Sequence, residues 1–150
     1  MILPLIQKRR SIRKYQKKPI EPDKIQTLVE AALRSPSSMG YNPWEFVVVA
    51  DAGLLDKLSK ARPQGSAHIK NAPLGIVVCA DVGREQHKGY WVQDCAAATQ
   101  NILLACHALG LGAVWIGVYP RDSIEAKFRE FGMPIVTGAI TPARTDDCLT

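Results

Sequence analysis

The stretch Arg9-Arg10-Ser11-Ile12-Arg13-Lys14-Tyr15 concentrates positive charge around one hydroxyl group near the start of the chain. A second stretch follows after one helix-length interval, Ser35-Pro36-Ser37-Ser38-Met39-Gly40-Tyr41-Asn42-Pro43-Trp44. Arginine binds phosphate through paired, charge-assisted hydrogen bonds. The second stretch is rich in residues that favour tight turns, and it leads into an apolar strand. The two stretches in this order therefore predict a bound phosphorylated cofactor.

The composition indicates a globular chain. The 150 residues suffice for one domain with a hydrophobic core, and 47% of them are hydrophobic. No apolar run approaches the length of a membrane span, and charge follows the opening residues where a signal-peptide core would lie. We therefore expect a single domain over residues 1–150 and a cytoplasmic location.

The four cysteines show no metal-ligand spacing. Cys95 and Cys106 fall about three turns apart on one predicted helix, which is too far for a disulfide. We interpret Cys79, Cys95 and Cys106 as small buried hydrophobic residues. Cys148, in the tail, has no assigned role.

The excess positive charge is concentrated in a basic cluster that contains no acid. A cluster of this kind can bind nucleic acid, or it can simply be a solvated face. The chain has no helix-turn-helix, RNP-type or zinc pattern, so an anionic small molecule explains the charge more economically. The cluster consists of Lys8, Arg9, Arg10, Arg13, Lys14, Lys17 and Lys18.

Hydrophobic periodicity predicts helices and strands in alternation, a mixed α/β layout with helices around a central sheet. No G-x-G-x-x-G follows a predicted strand, which argues against a Rossmann fold. The segment 62–72 is predicted to be a loop. Helices are predicted at about 22–34, 54–58, 90–109 and 122–131, and strands at 46–50, 75–80, 112–118 and 135–140.

Four motifs follow one another along the chain: Arg9-Arg10-Ser11-x-Arg13, Pro36-Ser37-Ser38-x-x-x-Asn42-Pro43-Trp44, Trp91-x-Gln93-Asp94-Cys95-Ala96-Ala97-Ala98 and Gly110-Leu111-Gly112-Ala113-Val114-Trp115-Ile116-Gly117. Together they resemble the FMN-dependent nitroreductase family in its short bacterial and archaeal form, over about residues 5–132. The resemblance implies an α+β fold: a sandwich with a central, mainly antiparallel sheet flanked by helices. It also implies an obligate-type homodimer with FMN at the interface.

The resemblance further implies which residues contact FMN. One subunit would contribute Arg9, Arg10, Ser11 and Arg13, and its partner would contribute Pro36, Ser37, Ser38 and Asn42. The backbone of Trp115, Ile116 and Gly117 would lie against the isoalloxazine ring, and Gln64 falls near a position whose amide often reaches that ring. No metal and no protein nucleophile is expected, because the cofactor carries the redox step. Arg13 is our candidate for electrostatic support at the N1/C2-carbonyl edge.

The activity implied is that of an FMN oxidoreductase that takes hydride from NADH or NADPH. Nitroaromatics, quinones or enones would be reduced in a ping-pong cycle. The alternatives are a flavin-fragmenting or dehalogenating relative, for which no lid-forming insertion is found, and a non-catalytic FMN-binding protein. The tail, residues 141–150, departs from the family pattern and looks shortened, and Arg144 is a candidate for the phosphate-binding cation that relatives carry there.

Overall fold

The computed structural model describes residues 1–62, 64–130 and 135–144, and in these ranges the sheet is antiparallel throughout its named strands. Its order is β1-β2-β4-β3. This architecture confirms the predicted α+β class with a central antiparallel sheet. The strands are β1 (Trp44–Val49), β2 (Gly75–Ala80), β3 (Trp115–Gly117) and β4 (Ile135–Ile140), and the helices are α1 (Leu3–Lys8), α2 (Pro22–Leu33), α3 (Ala52–Lys60), α4 (Trp91–Ala108) and α5 (Asp122–Glu130).

Strand β2 lies at the centre of the core and is buried along its whole length. Successive side chains of a strand point to opposite faces. Ile76 and Val78 accordingly pack into a hydrophobic cluster with α2 and α4, whereas Val77 and Cys79 pack into a second cluster with α3 and α5. The sheet is therefore covered on both faces at β2, whereas β1 is only partly buried and its Val48 is exposed.

The cysteines that the structure describes behave as predicted. Cys79, Cys95 and Cys106 form no disulfide with one another, and none of them has exposed surface. Burial raises the pKa of the Cys79 thiol to about 12, so its reactive thiolate is not populated near neutral pH. Cys148 lies outside the described residues.

Helix α4 connects the elements that carry the motifs. The side-chain amide of Asn101 donates to the Ala31 carbonyl (3.2 Å) and to Ser35 Oγ (2.8 Å), which ties the middle of α4 to the end of α2. Gly110 follows with φ of 70°, a backbone conformation that favours glycine, and ends the helix as predicted. No helix in the described ranges is long and apolar enough to cross a membrane.

The structure differs from the predicted elements at one strand boundary and in two helices that were not predicted. The third strand covers Trp115–Gly117 instead of 112–118, because Gly112 and Ala113 form only isolated bridges. The predicted loop at 62–72 contains a 3-10 helix over Ala67–Asn71. Helix α1 was not predicted because it buries none of its residues and so shows no core-facing stripe. The predicted end of the last helix, at Phe131 and Gly132, lies outside the described residues.

Candidate functional site

Residues 9–13, the first motif, lie alongside the segment that leads into β3. The amide of Ile12 donates to the Ala113 carbonyl (3.0 Å), and Ser11 forms a parallel bridge with Ala113. Ile12 is buried and anchors the motif, whereas Ser11 and Arg13 on either side are exposed. Two of the predicted flavin-binding segments, about a hundred residues apart in sequence, thus meet at one edge of the sheet.

The arginines of the first motif carry charge that the described part of the chain does not neutralise. Arg10 Nη1 donates to the carbonyls of Gln7 (2.7 Å) and Arg9 (3.0 Å). Arg13 Nη1 makes a long contact with the Ser11 carbonyl (3.4 Å). No carboxylate among the described residues pairs with any of the three arginines. An uncompensated positive edge of this kind fits a phosphate group.

Residues 36–42, the second motif, form a compact turn closed by its own side chains. Ser37 Oγ donates to Asn42 Oδ1 (2.8 Å) and accepts from the Asn42 amide (3.0 Å). Met39, Gly40 and Asn42 have φ values of 51°, 71° and 48°, so the turn is held in left-handed conformations. No described residue accepts from the Asn42 Nδ2 group, which leaves two donors for a ligand.

The turn is fixed to the first turn of α4. Asp94 is 7% exposed, and its Oδ1 atom accepts from the Ser38 amide at 2.9 Å. The Asp94 carboxylate thus acts as a hydrogen-bonded support for the turn.

The two motifs lie at opposite ends of the subunit. Ser38 is bound to Asp94 near the start of α4, whereas Ala113, the partner of the first motif, follows the end of that helix. The helix from Asp94 to Cys106 alone spans about 18 Å. The sheet separates the motifs as well, since β1 and β3 are its two outer strands and lie about 14 Å apart. One chain therefore presents the two motifs as separate surfaces.

Strand β3 presents an open edge that a planar ligand could approach. Ile116 is buried, whereas Trp115 (41% exposed) and Gly117 face solvent. Arg62 Nη1 donates to the Gly117 carbonyl (3.3 Å), and its Nε is buried without a partner among the described residues. Gln64 is exposed two residues later, and no described hydrogen bond joins it to the motifs.

Tyr15, Thr141 and His68 form a small polar cluster next to the first motif. The sequence alone did not indicate it. The Tyr15 hydroxyl donates to the Ile12 carbonyl (2.8 Å) and lies 2.5 Å from Thr141 Oγ1. The ring of His68 is 5.9 Å from that of Tyr15, and its Nε2 is buried without a partner among the described residues. Burial and the nearby Arg13 charge lower the pKa of His68. Because these residues are isolated in sequence, only the fold could bring them together.

The sequence profile of the Nitroreductase family matches this chain over residues 6–66 and 56–134. The chain belongs to the Nitroreductase family. A Methanothermobacter thermautotrophicus protein, provisionally named NADH dehydrogenase/NAD(P)H nitroreductase, is 47% identical over 134 residues, which cover 89% of this chain and 70% of the relative.

Solved structures agree with this nitroreductase assignment. An FMN-dependent nitroreductase from Clostridium difficile is 38% identical with a TM-score of 0.88, over 95% of this chain and 86% of that one. A Desulfovibrio desulfuricans protein described as a provisional nitroreductase was solved in complex with FMN. It is 27% identical with a TM-score of 0.86, over 99% of this chain and 88% of the other. The resemblance drawn from the four motifs, and the fold it implied, are confirmed.

Other candidate residues of this nitroreductase-family chain have structural partners. Arg144 forms an ion pair with Glu21, so its charge is already compensated, and its carbonyl accepts from the Gln16 amide (2.9 Å). Trp44 and Trp91 are buried and serve packing. Across the described ranges, no group of three or more His, Cys, Asp or Glu side chains could hold a metal ion.

Replacing Asp94 tests whether the turn at residues 36–42 depends on the hydrogen bond between the Ser38 amide and this carboxylate. We expect Asp94→Ala to lower the free energy of unfolding by about 1–3 kcal/mol, because the Ser38 amide loses its acceptor in a buried setting. Urea unfolding measures this loss. Asp94→Asn, which keeps an acceptor oxygen, should retain most of the stability, and equal losses in both variants would show that the hydrogen bond is not the cause.

The buried phenol of Tyr15 predicts a pH-dependent stability. Burial, partly offset by the Thr141 hydrogen bond, raises the pKa of Tyr15 to about 12. Since the unfolded chain loses this proton near pH 10, stability should fall by about 2 kcal/mol as the pH rises from 10 to 12. Ultraviolet titration should show one tyrosine ionising late, and Tyr15→Phe should remove that phase. A late phase that persists in Tyr15→Phe would assign it to another tyrosine.

Proposed function

We propose that this nitroreductase-family protein is an NAD(P)H-dependent FMN oxidoreductase that reduces nitroaromatics, quinones or enones by a ping-pong mechanism. The observation that carries the proposal is the position of the first motif: its backbone pairs with Ala113, two residues before β3, and no described carboxylate pairs with its arginines. A phosphate would meet the positive charge there, while the adjoining strand offers a surface on which a flat ring can lie.

The residues of the first motif divide into two roles. Arg9, Arg10 and Ser11 would hold the FMN phosphate through charge-assisted hydrogen bonds, to which arginine contributes paired donors. Their charge is available because no described carboxylate competes for it. Ile12 would fix the position of this phosphate site, since its amide donates to the Ala113 carbonyl and its side chain is buried.

Arg13 would provide electrostatic support for the reaction. Bound FMN supplies two-electron chemistry, taking hydride from NADH or NADPH and returning the electrons to an acceptor. Arg13 would place a fixed positive charge beside the N1/C2-carbonyl edge, where negative charge develops, and removing such a donor costs about 3 kcal/mol of barrier. The exposed Gly117 and Trp115 would line the ring face, and Gln64 would reach it from the neighbouring turn.

We further propose that the site is completed by a second copy of the chain. The partner subunit's second motif, with Pro36, Ser37, Ser38 and Asn42, would close over the flavin held by the first. Apolar side chains are exposed beside both motifs: Leu33 (58%) and Met39 (73%) near the second, and Leu3 (59%) and Ile6 (48%) near the first. Exposed apolar patches of this kind are typical of protein interfaces.

The absorbance of the purified protein tests the proposed function. We expect flavin bands from the protein as purified or after adding FMN, and bleaching of those bands when NADH or NADPH is added without oxygen. Re-oxidation by a nitroaromatic or a quinone, with parallel double-reciprocal plots, would support the ping-pong cycle. A protein that takes up no FMN would overturn the proposal, and bound FMN that neither nicotinamide reduces would favour the non-catalytic alternative.

A further inference from the structure

A cavity of about 470 Å³ lies apart from the residues assigned to the flavin. It is formed where the end of β1 passes into α3, and it is closed by the chain on either side of Ile20 and by the segment preceding β2. None of the motif residues lines it. Its volume is in the range of small-molecule binding sites.

The cavity has an apolar floor that is already built. Leu55 and Leu74 are 2% and 1% exposed, and Ile20 and Ala72 are each 6% exposed. These side chains belong to the packed core, so the floor does not need to rearrange to receive a ligand. An apolar group placed on it would be removed from water, which favours binding.

The charged side chains that line the cavity are both positive. Lys17 and Lys70 are exposed, and neither has an ion-pair partner within the described ranges. The acids nearest in sequence are engaged elsewhere. Asp51 accepts from the Leu54 amide (2.7 Å), and Glu21 pairs with Lys24 and Arg144. No carboxylate is among the residues that line the cavity, so an anionic group at its mouth would lie beside two positive charges.

We propose that this cavity binds a small aliphatic carboxylate. The hydrocarbon part would lie on Leu55, Leu74 and Ile20, and the carboxylate would remain at the mouth beside Lys17 and Lys70. Each lysine would contribute a compact positive charge that attracts the carboxylate. This site goes beyond the proposed oxidoreductase activity and does not depend on it, since it shares no residue with the flavin site.

Titration with octanoate, followed by NMR on the protein with its flavin bound, tests the proposal. We expect saturable shifts of the amide signals of Ile20, Ala72 and Leu74, with unchanged flavin absorbance. The matched neutral probe, 1-octanol, should bind about tenfold more weakly, since it lacks the charge that the two lysines attract. Absence of shifts, shifts confined to the motif residues, or equal affinity for the two probes would overturn the proposal.

Substitutions test where octanoate binds, and whether it is attracted by the two lysines beside the cavity or by the net charge of the protein. Lys17→Gln combined with Lys70→Gln should weaken octanoate binding about tenfold, because each exposed lysine contributes about threefold. Lys57→Gln combined with Lys88→Gln removes the same charge from exposed lysines outside the cavity and should leave binding unchanged. Ala50→Phe, at an exposed lining position, should block binding in a folded protein. Equal weakening by both lysine pairs, or full binding to Ala50→Phe, would contradict the assignment.

Discussion

Co-expressing an Arg13→Ala chain with an Asn42→Asp chain is expected to restore about one quarter of the wild-type NAD(P)H-dependent activity, because each site of the proposed twofold dimer would draw on both chains. Each variant alone should be nearly inactive. Arg13→Ala would remove the proposed electrostatic support, at a cost of about 3 kcal/mol of barrier. Asn42→Asp keeps the oxygen that accepts from Ser37 but replaces the free amide donors with negative charge.

The restored fraction follows from the arrangement of the two motifs. When both chains are made in equal amounts, about half of the dimers contain one chain of each kind. In such a dimer one site carries both substitutions and the other carries neither, so one of its two sites is intact. Intact sites therefore make up about one quarter of all sites. This outcome requires that the two motifs of one site come from different chains, as their separation along α4 suggests.

A second pair of variants provides the matched control. Arg13→Ala and Arg9→Ala both alter the first motif, so in a mixed dimer every site carries one damaged copy of it. Co-expression of this pair should restore nothing. No recovery in the Arg13→Ala and Asn42→Asp pair would mean that the flavin site is built within one chain. Recovery in the control pair would mean that restored activity does not report the pairing of the two motifs.

Gly138→Ala is expected to destabilise the protein and to reduce its flavin content. Gly138 pairs with Gly117 across β4 and β3. A Cβ atom at this position would lie 2.9 Å from the Ile116 carbonyl oxygen and 3.0 Å from Trp115 Cδ1, with the indole Nε1 closer still. Strand β3 would have to shift, and we expect the free energy of unfolding to be about 1–3 kcal/mol lower than in the wild type.

Gly117→Ala separates the effect on stability from the effect on the cofactor. A Cβ atom there would meet nothing within 4 Å, so the melting temperature should not fall. If the isoalloxazine ring lies against this backbone as proposed, the added methyl group should still weaken FMN binding. Calorimetry and flavin absorbance measure the two quantities. Stability loss at Gly117 or unaltered stability at Gly138 would contradict the packing described for this edge.

The sequence was a good guide wherever a pattern repeats along one element. The stripe of Leu28 and Ala32 predicted α2, and the continuous apolar run of β2 predicted a strand buried on both faces. The turn at Ser37 and Asn42 was also recognisable, because turn-forming residues have local conformational preferences. The site residues assigned by resemblance remain predictions, and the distance between the two motifs within a chain is a property of the fold.

Contacts between residues that are far apart in the sequence were not predicted. Arg62 lies against the Gly117 carbonyl, and Tyr15 lies against both His68 and Thr141. None of these pairs has a periodic pattern or a characteristic spacing. The boundary of β3 was misplaced for a related reason: Ala113 pairs with Ser11, so the apolar run continues beyond the regular strand.

Helix α4 holds the second motif at Asp94 and leads to the support of the first motif at Ala113. In the proposed dimer, each copy of this helix would therefore touch both cofactor positions. A displacement of the helix along its axis would alter the two positions together. Occupancy of one by FMN should then change the affinity of the other, and thermodynamic linkage requires that influence to be reciprocal.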